Sequence, residues 1–236
     1  MFSPQGPTAR ELAVQALSSV EHGYDLLAPS FDHTPFRTPD RVLDATGRAL
    51  ARLGPFGAGL DLCCGTGAGT GVLRRACVGE VTGVDFSAGM LAQARAAHPG
   101  ARWVRADARA LPFAGGFDLA VSFGAFGHFL PAERPALFAG VRRALVPGGL
   151  FAFPVGAPPR PGSAWWWAAA GFDAAMRVRN AVRRPTFVMY YRTFPLAAVR
   201  ADLTAAGFSV RTAALEEFGR RPDGSPRCRL VLARRT

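Results

Sequence analysis

The chain has 236 residues with 28 bases against 17 acids, and every base is arginine. Without a lysine there is no P-loop, no kinase strand lysine and no Schiff-base amine, so those chemistries are excluded. The net charge of +11 raises the question of an anionic partner, but residues 1–150 carry only +2 while residues 151–236 carry +9. The simplest source of the arginine bias is a GC-rich genome, with which the many Ala, Gly and Pro residues agree. Half the chain is apolar and a fifth charged, as in a globular protein with a sizeable core, and the length suits one domain.

In chain order, the opening MFSPQGPTAR has no apolar stretch of the kind a signal peptide needs. The first 50 residues read as largely helical and are expected to pack over one edge of a sheet. Short apolar β-rich runs follow at 59–63, 80–85, 101–106, 117–123 and 150–155. Helical stretches lie between them at about 69–77, 87–97 and 132–145, the last expected to stop at Pro147 and Gly148. This alternation predicts a parallel α/β sheet. Residues 156–163 read as a rigid linker, and the next twenty have helical length, with Trp165, Ala169, Phe172 and Met176 on one face. A further helix closes at Gly207, and the last two strands, including 227–233, read as a hairpin.

The four cysteines (Cys63, Cys64, Cys77, Cys228) form no CxxC pair and no zinc spacing, so no metal site is expected. No apolar run approaches the ~18 residues of a membrane span; the longest candidate stops at Asp173. A reduced, cytoplasmic protein is the expectation.

The chemistry centres on LDLCCGTGAGTGVL at 60–73. A strand runs into a glycine-rich turn and then a helix, the place where open α/β sheets bind ligands. Gly65 and Gly67 let the backbone come close to a ligand. Thr70 stands where a dinucleotide fingerprint wants its third glycine. Asp61, just before the turn, would repel a pyrophosphate but suits an ammonium group. Asp85 ends the next strand twenty residues after Gly65, from where a carboxylate accepts hydrogen bonds from ribose hydroxyls. A ligand with a ribose, an amino group and no phosphate is S-adenosylmethionine far better than NAD.

LDLCCGTG, VTGVDFSAGMLAQAR, RADARALPFAGGFDLAVS and VRRALVPGGLF, in this order and spacing, resemble the class I S-adenosylmethionine-dependent methyltransferases. The similarity is to the small-molecule group that includes quinone-ring methylating enzymes. It covers residues 60–155, and more loosely YDLLAPSFD at 24–32 and the terminal hairpin. It implies one domain over 1–236. That domain has an N-terminal helical segment (1–50), a cofactor core (58–155), an insertion (156–194), and a terminal helix with a β-hairpin (195–236). The implied fold is α/β, a Rossmann-like doubly wound sheet of about seven strands with the last strand antiparallel.

By the same resemblance, Asp61 orients the methionine amino group and Gly65 and Gly67 line the methionine portion. Asp85 holds the ribose, with Phe86 and Met90 against the adenine. Asp107 and the Ala108 N–H meet the adenine edge, and Ser122 and Phe123 end the strand that offers a carbonyl to the amino group. Cys63 stands where the family usually has glycine, and it is expected to allow binding without thiol chemistry. Each role has a plainer rival. Asp61 could cap the loop, Asp85 and Asp107 could cap helices, and Met90 could pack in the core, as Cys64 and Cys77 are expected to do.

Methyl transfer from a sulfonium needs mainly proximity and alignment, and a general base only if the acceptor must lose a proton. His128, just past the fourth strand, is the candidate base, with a loop hydrogen bond as its rival. Tyr24 and Phe31 are candidates to close over the site. The insertion 156–194, with Trp165, Trp166, Trp167, Phe172, Phe187, Tyr190 and Tyr191 among arginines, reads first as a lid for a flat hydrophobic acceptor, with Trp165 and Trp166 as acceptor contacts. A helix on an anionic membrane surface and an oligomer interface are the alternatives, in a monomer or homodimer. A nucleic-acid methyltransferase is disfavoured because the fourth strand ends in SFGAF, not an N-P-P-Y element. A non-catalytic cofactor-binding protein acting through the basic insertion is the remaining reading.

Overall fold

The computed structural model describes residues 6, 8, 20–34, 36–183 and 195–236. Two helices come first, α1 (Val20–Leu27) and α2 (Asp40–Ala51), joined through a 3-10 turn at Ala28–His33. Strands and helices then alternate as β1 (Gly59–Leu62), α3 (Ala68–Ala76), β2 (Val81–Asp85), α4 (Ala88–Ala97), β3 (Arg102–Arg105), β4 (Phe117–Val121), α5 (Arg134–Ala144) and β5 (Leu145–Gly156). The chain continues with α6 (Ala164–Arg183), α7 (Leu196–Ala205), β6 (Phe208–Ala214) and β7 (Cys228–Arg235).

The seven strands form one sheet in the order β3-β2-β1-β4-β5-β7-β6. β1 to β5 pair in parallel, and β7 runs antiparallel between β5 and β6. The expected doubly wound sheet with an antiparallel last strand is therefore the observed one. β1 and β2 are buried along their whole length, as suits parallel strands covered on both faces. β3, at one edge, carries arginine at both ends and is only half-buried, as suits an edge that must not pair further. The strand order reverses between β1 and β4, and that switch point opens a crevice at the carboxyl ends of the strands.

Helices cover both faces. α5 and α7 pack Leu137, Phe138, Val141, Val199 and Leu203 on the side of Leu60, Leu62, Phe151 and Phe153. On the other side, α2 and α3 pack Leu43, Leu50, Val72 and Leu73 on Leu119, Val121, Leu150 and Leu230. The expectation that the N-terminal helices cover an edge is therefore corrected for α2, while residues 9–19 lie outside the described residues. The apolar stripe of α2 lies on a face at the centre of the sheet, because the α3 side of β4 and β5 would otherwise be bare. The helix expected at about 132–145 runs from Arg134 to Ala144, but Pro147 and Gly148 are not what ends it. Leu145 N–H closes it on Val141 O, and Leu145 already pairs with Phe117. A shift of register between Phe117 and Leu119 then takes up the extra residues, so Pro147 and Gly148 lie within the strand.

Candidate functional site

Asp61 is fully buried in β1, its side chain directed at the first turn of α3. Thr70 Oγ1 donates to its Oδ2 at 2.9 Å, while Oδ1 is buried without a hydrogen-bond partner. A Cβ on Gly69 would lie 2.4 Å from that same oxygen, so only glycine lets the helix sit on the carboxylate. Burial raises the Asp61 carboxyl to about 7, against the pull of the Thr70 hydroxyl. One oxygen of the carboxylate is thus committed to the first turn of α3, and the other is without a hydrogen-bond partner.

Asp85 closes β2 with both oxygens engaged by backbone. Gly65 N donates to Oδ2 at 2.9 Å and Ser87 N to Oδ1 at 3.0 Å. Burial raises its pKa, and those N–H groups oppose the rise. The carboxylate thereby fixes the glycine loop to the start of α4 and still has acceptor capacity on each oxygen. Gly65 adopts a left-handed φ of 52°, with open space where a Cβ would stand. Gly67 is different, since a Cβ there would lie 2.8 Å from His98 Cδ2, and its smallness serves loop-to-α4 packing. Cys63 also takes a left-handed φ, 54°, a conformation glycine adopts freely and other residues pay about 1–2 kcal/mol to hold. Burial, with Asp85, Asp61 and Asp107 nearby, drives its thiol far above the usual range, so it is an uncharged thiol.

The remaining cofactor candidates fall at the same end of the sheet. Ser122 Oγ donates to Leu62 O at 2.9 Å and ties the end of β4 to β1. Phe123 is half-buried beyond it, and Phe86 follows Asp85, also half-buried. Met90 is 2 % exposed within α4, as a core side chain is. Asp107 caps a 3-10 turn through Arg109 N at 2.8 Å and pairs with the Arg109 guanidinium at 2.6 Å, which holds its carboxyl below the usual range. Ala108 is buried in the core under α5.

Tyr24 gathers an aromatic cluster beside Asp85. Its ring meets Phe86 and His128 edge-on, each at 6.0 Å, and Phe31 at 6.3 Å. Its hydroxyl and His128 Nε2 share a hydrogen bond of 3.1 Å. Burial lowers His128 to about 4, so the imidazole is neutral at physiological pH. Trp166 is half-buried on α6, its backbone N–H donates to Ser163 Oγ, and its ring packs edge-on against Trp167 at 4.7 Å. The side chains of Trp165, Phe172 and Met176, and the whole of Phe187, Tyr190 and Tyr191, lie outside the described residues.

Two carboxylates here were not singled out from the sequence. Asp25 Oδ1 accepts from Ser87 Oγ at 2.6 Å and Gly89 N at 2.9 Å, which clamps α1 to the start of α4. Asp32 Oδ1 accepts from Thr66 Oγ1, in the glycine loop, at 2.7 Å. The available signal was their place beside Tyr24 and Phe31 in YDLLAPSFD. Asp25→Ala is expected to destabilise the fold by about 2 kcal/mol, since two hydrogen bonds to a charged group are lost. It should also shrink the ligand-induced rise in melting temperature, because Tyr24 loses its anchor. An unchanged thermal shift with S-adenosylhomocysteine would contradict the clamp.

The site therefore has the parts the expected cofactor requires. It offers a buried carboxylate oxygen with no partner for an ammonium, a second carboxylate with spare acceptor capacity for a ribose, and an open glycine beside them. Comparison with known proteins agrees. A family model described as methyltransferase domain matches residues 60–149. Residues 60–149 form a class I S-adenosylmethionine-dependent methyltransferase domain.

The chain is 41% identical over 101 residues to a 2-phytyl-1,4-naphtoquinone methyltransferase of Thermosynechococcus vestitus, covering 40% of this chain and 44% of that one. The match thus spans under half the length of that relative. A crystal structure of an S-adenosylmethionine-dependent methyltransferase from Mesorhizobium loti is similar at TM-score 0.53 and 28% identity, over 82% of this chain and 100% of the other. A structure described as a DhpI-SAM-HEP complex aligns at TM-score 0.63 and 21% identity, over 97% of this chain and all of that one, and speaks for the fold. In the methyltransferase domain, Asp61, Gly65, Asp85 and Ser122 all stand at the carboxyl ends of β1, β2 and β4. The aromatic cluster joins Tyr24 and Phe31, from the segment before that domain, to Phe86 and His128 within it.

Proposed function

We propose that the chain transfers the methyl group of S-adenosylmethionine to a small apolar or aromatic acceptor. The observation that carries this is the placing of Asp61 Oδ1, Asp85 and the open Gly65 at one end of the sheet with an aromatic cluster in which Tyr24 meets Phe31, Phe86 and an uncharged His128. Bound there, S-adenosylmethionine supplies a methyl group already activated by its sulfonium charge. The chain's own part is then to hold, align and exclude water. Asp61 takes the ammonium, Asp85 the ribose hydroxyls, and Ser122 keeps the β4 end in register with β1. The naphthoquinone-ring relative supports a ring acceptor of this kind.

The basic charge, which would suit a nucleic acid, is partly structural. Arg235 donates to Arg142 O at 3.0 Å and to Leu145 O, Arg142 to Thr236 O at 3.1 Å, and Arg234 to Gly148 O at 2.6 Å. These arginines close the β5–β7 corner, which weakens the case for a nucleic-acid groove.

Calorimetry with S-adenosylhomocysteine tests the cofactor reading, and absence of binding at millimolar ligand would overturn it. Incubation with labelled cofactor and a metabolite extract then identifies the acceptor. His128→Ala is expected to keep cofactor affinity and to lower turnover about 10²-fold or more, the usual range for a lost acid–base group. Because burial holds His128 at about 4, the wild-type rate should show no histidine inflection between about pH 5 and 8. Full turnover by the variant would remove His128 from the reaction.

A further inference from the structure

α6 is apolar on the face it turns to solvent. Trp167, Val178 and Val182 are 63%, 65% and 77% exposed. At 3.6 residues per turn they share one stripe with Gly171, Ala174 and Ala181, which are also exposed. No charged residue interrupts that stripe over the length of the helix. The inward side is marked by Asp173, 4 % exposed, and by half-buried Trp166, which lie roughly a third of a turn round from it. Scattered exposed apolar residues need no account, but a tryptophan and two valines aligned along one 20-residue helix do.

Charge identifies what would cover this face. The helix carries Arg177, Arg179 and Arg183 against one acid, and that acid, Asp173, is buried and paired to Arg177 at 3.2 Å. The Arg177 side chain is 60% exposed beside the stripe. A second copy would bring the same basic helix against itself, whereas an anionic lipid surface complements it. No helix among the described residues is long and apolar enough to cross a membrane, so α6 would lie on the surface.

We propose that α6 docks the chain on an anionic lipid bilayer, with Trp167, Val178 and Val182 entering the headgroup boundary and Arg177 meeting the phosphates. Its use rests on the proposed apolar acceptor. α6 leaves the carboxyl end of β5, the same edge of the sheet as Asp61, Asp85 and His128, so an acceptor dissolved in the bilayer would approach the site from there.

Co-sedimentation of the full chain with phosphatidylcholine–phosphatidylglycerol vesicles tests this. Binding is expected to be at least about tenfold stronger than to phosphatidylcholine alone and to fall as salt is raised. The pair Trp167→Ser and Val178→Ser should weaken it by about tenfold or more. S-adenosylhomocysteine binding should be unchanged in that variant, which shows that the fold is intact. Three results would overturn the proposal: no preference for anionic vesicles, equal sedimentation of the double variant, or a wild-type dimer by light scattering that the double variant turns into a monomer. A chain that binds the vesicles but not S-adenosylhomocysteine would overturn the methyltransferase reading alone.

Discussion

Asp85→Ala is expected to weaken S-adenosylhomocysteine binding by about two to three orders of magnitude. Two losses combine. The ribose hydroxyls that Asp85 is proposed to hold lose a charged acceptor, and hydrogen bonds to a charged group contribute about 1.5–3 kcal/mol each. The loop loses its fastener as well, because Gly65 N and Ser87 N both donate to this carboxylate. Gly65 and the first turn of α4 then no longer have a common anchor, and the open space beside Gly65 is no longer preformed. Asp85→Asn separates the two losses, since an amide oxygen can accept from one of the two N–H groups but brings no charge. Its affinity should lie between wild type and alanine by calorimetry. A retained affinity in Asp85→Ala, with the protein folded by circular dichroism, would remove the ribose role.

Much of this site was legible in the sequence because its groups are local to strand ends. LDLCCGTG places Asp61 and Gly65 on one strand and turn, and VTGVD places Asp85 at the end of the neighbouring strand. Parallel pairing then brings them together without any further information. Asp25 and Asp32 were not legible in that way. Their partners, Ser87 and Thr66, are 62 and 34 residues distant, and an acid in an amphipathic helix looks like any solvated charge. The start of β5 was misplaced for a related reason. Pro147 and Gly148 are strong local punctuation, but pairing of Leu145 with Phe117 had already begun the strand. The position of α2 on a sheet face depended on which face α3 left uncovered, which no local pattern states.

Asp61→Asn is expected to make the chain more stable and a worse binder. Burial puts the Asp61 carboxyl at about 7, against ~3.9 in an unfolded chain. The folded state therefore holds a proton that the unfolded chain has released, and stability falls as pH rises from about 4 to about 7. Below that window the wild type carries no penalty, and above it the penalty is complete. The displacement corresponds to an upper bound of about 4 kcal/mol. Asparagine cannot ionise, and its oxygen can still accept from Thr70, but its buried amide N–H costs about 1–2 kcal/mol. A net gain of about 2 kcal/mol at pH 8 follows, or roughly 4–8 °C in melting temperature for a chain of this length. The same charge is what an ammonium requires. Cofactor binding should pull the proton from Asp61, so wild-type affinity should rise between about pH 6 and 8 with proton release, detectable by calorimetry in buffers of different ionisation enthalpy. The variant should bind S-adenosylhomocysteine at least about thirtyfold more weakly, a lost charge-assisted contact, and without that proton. If it neither melts higher at pH 8 nor loses the pH dependence, Asp61 is a helix cap alone. If it does both, a destabilising buried charge has been kept because the ligand neutralises it.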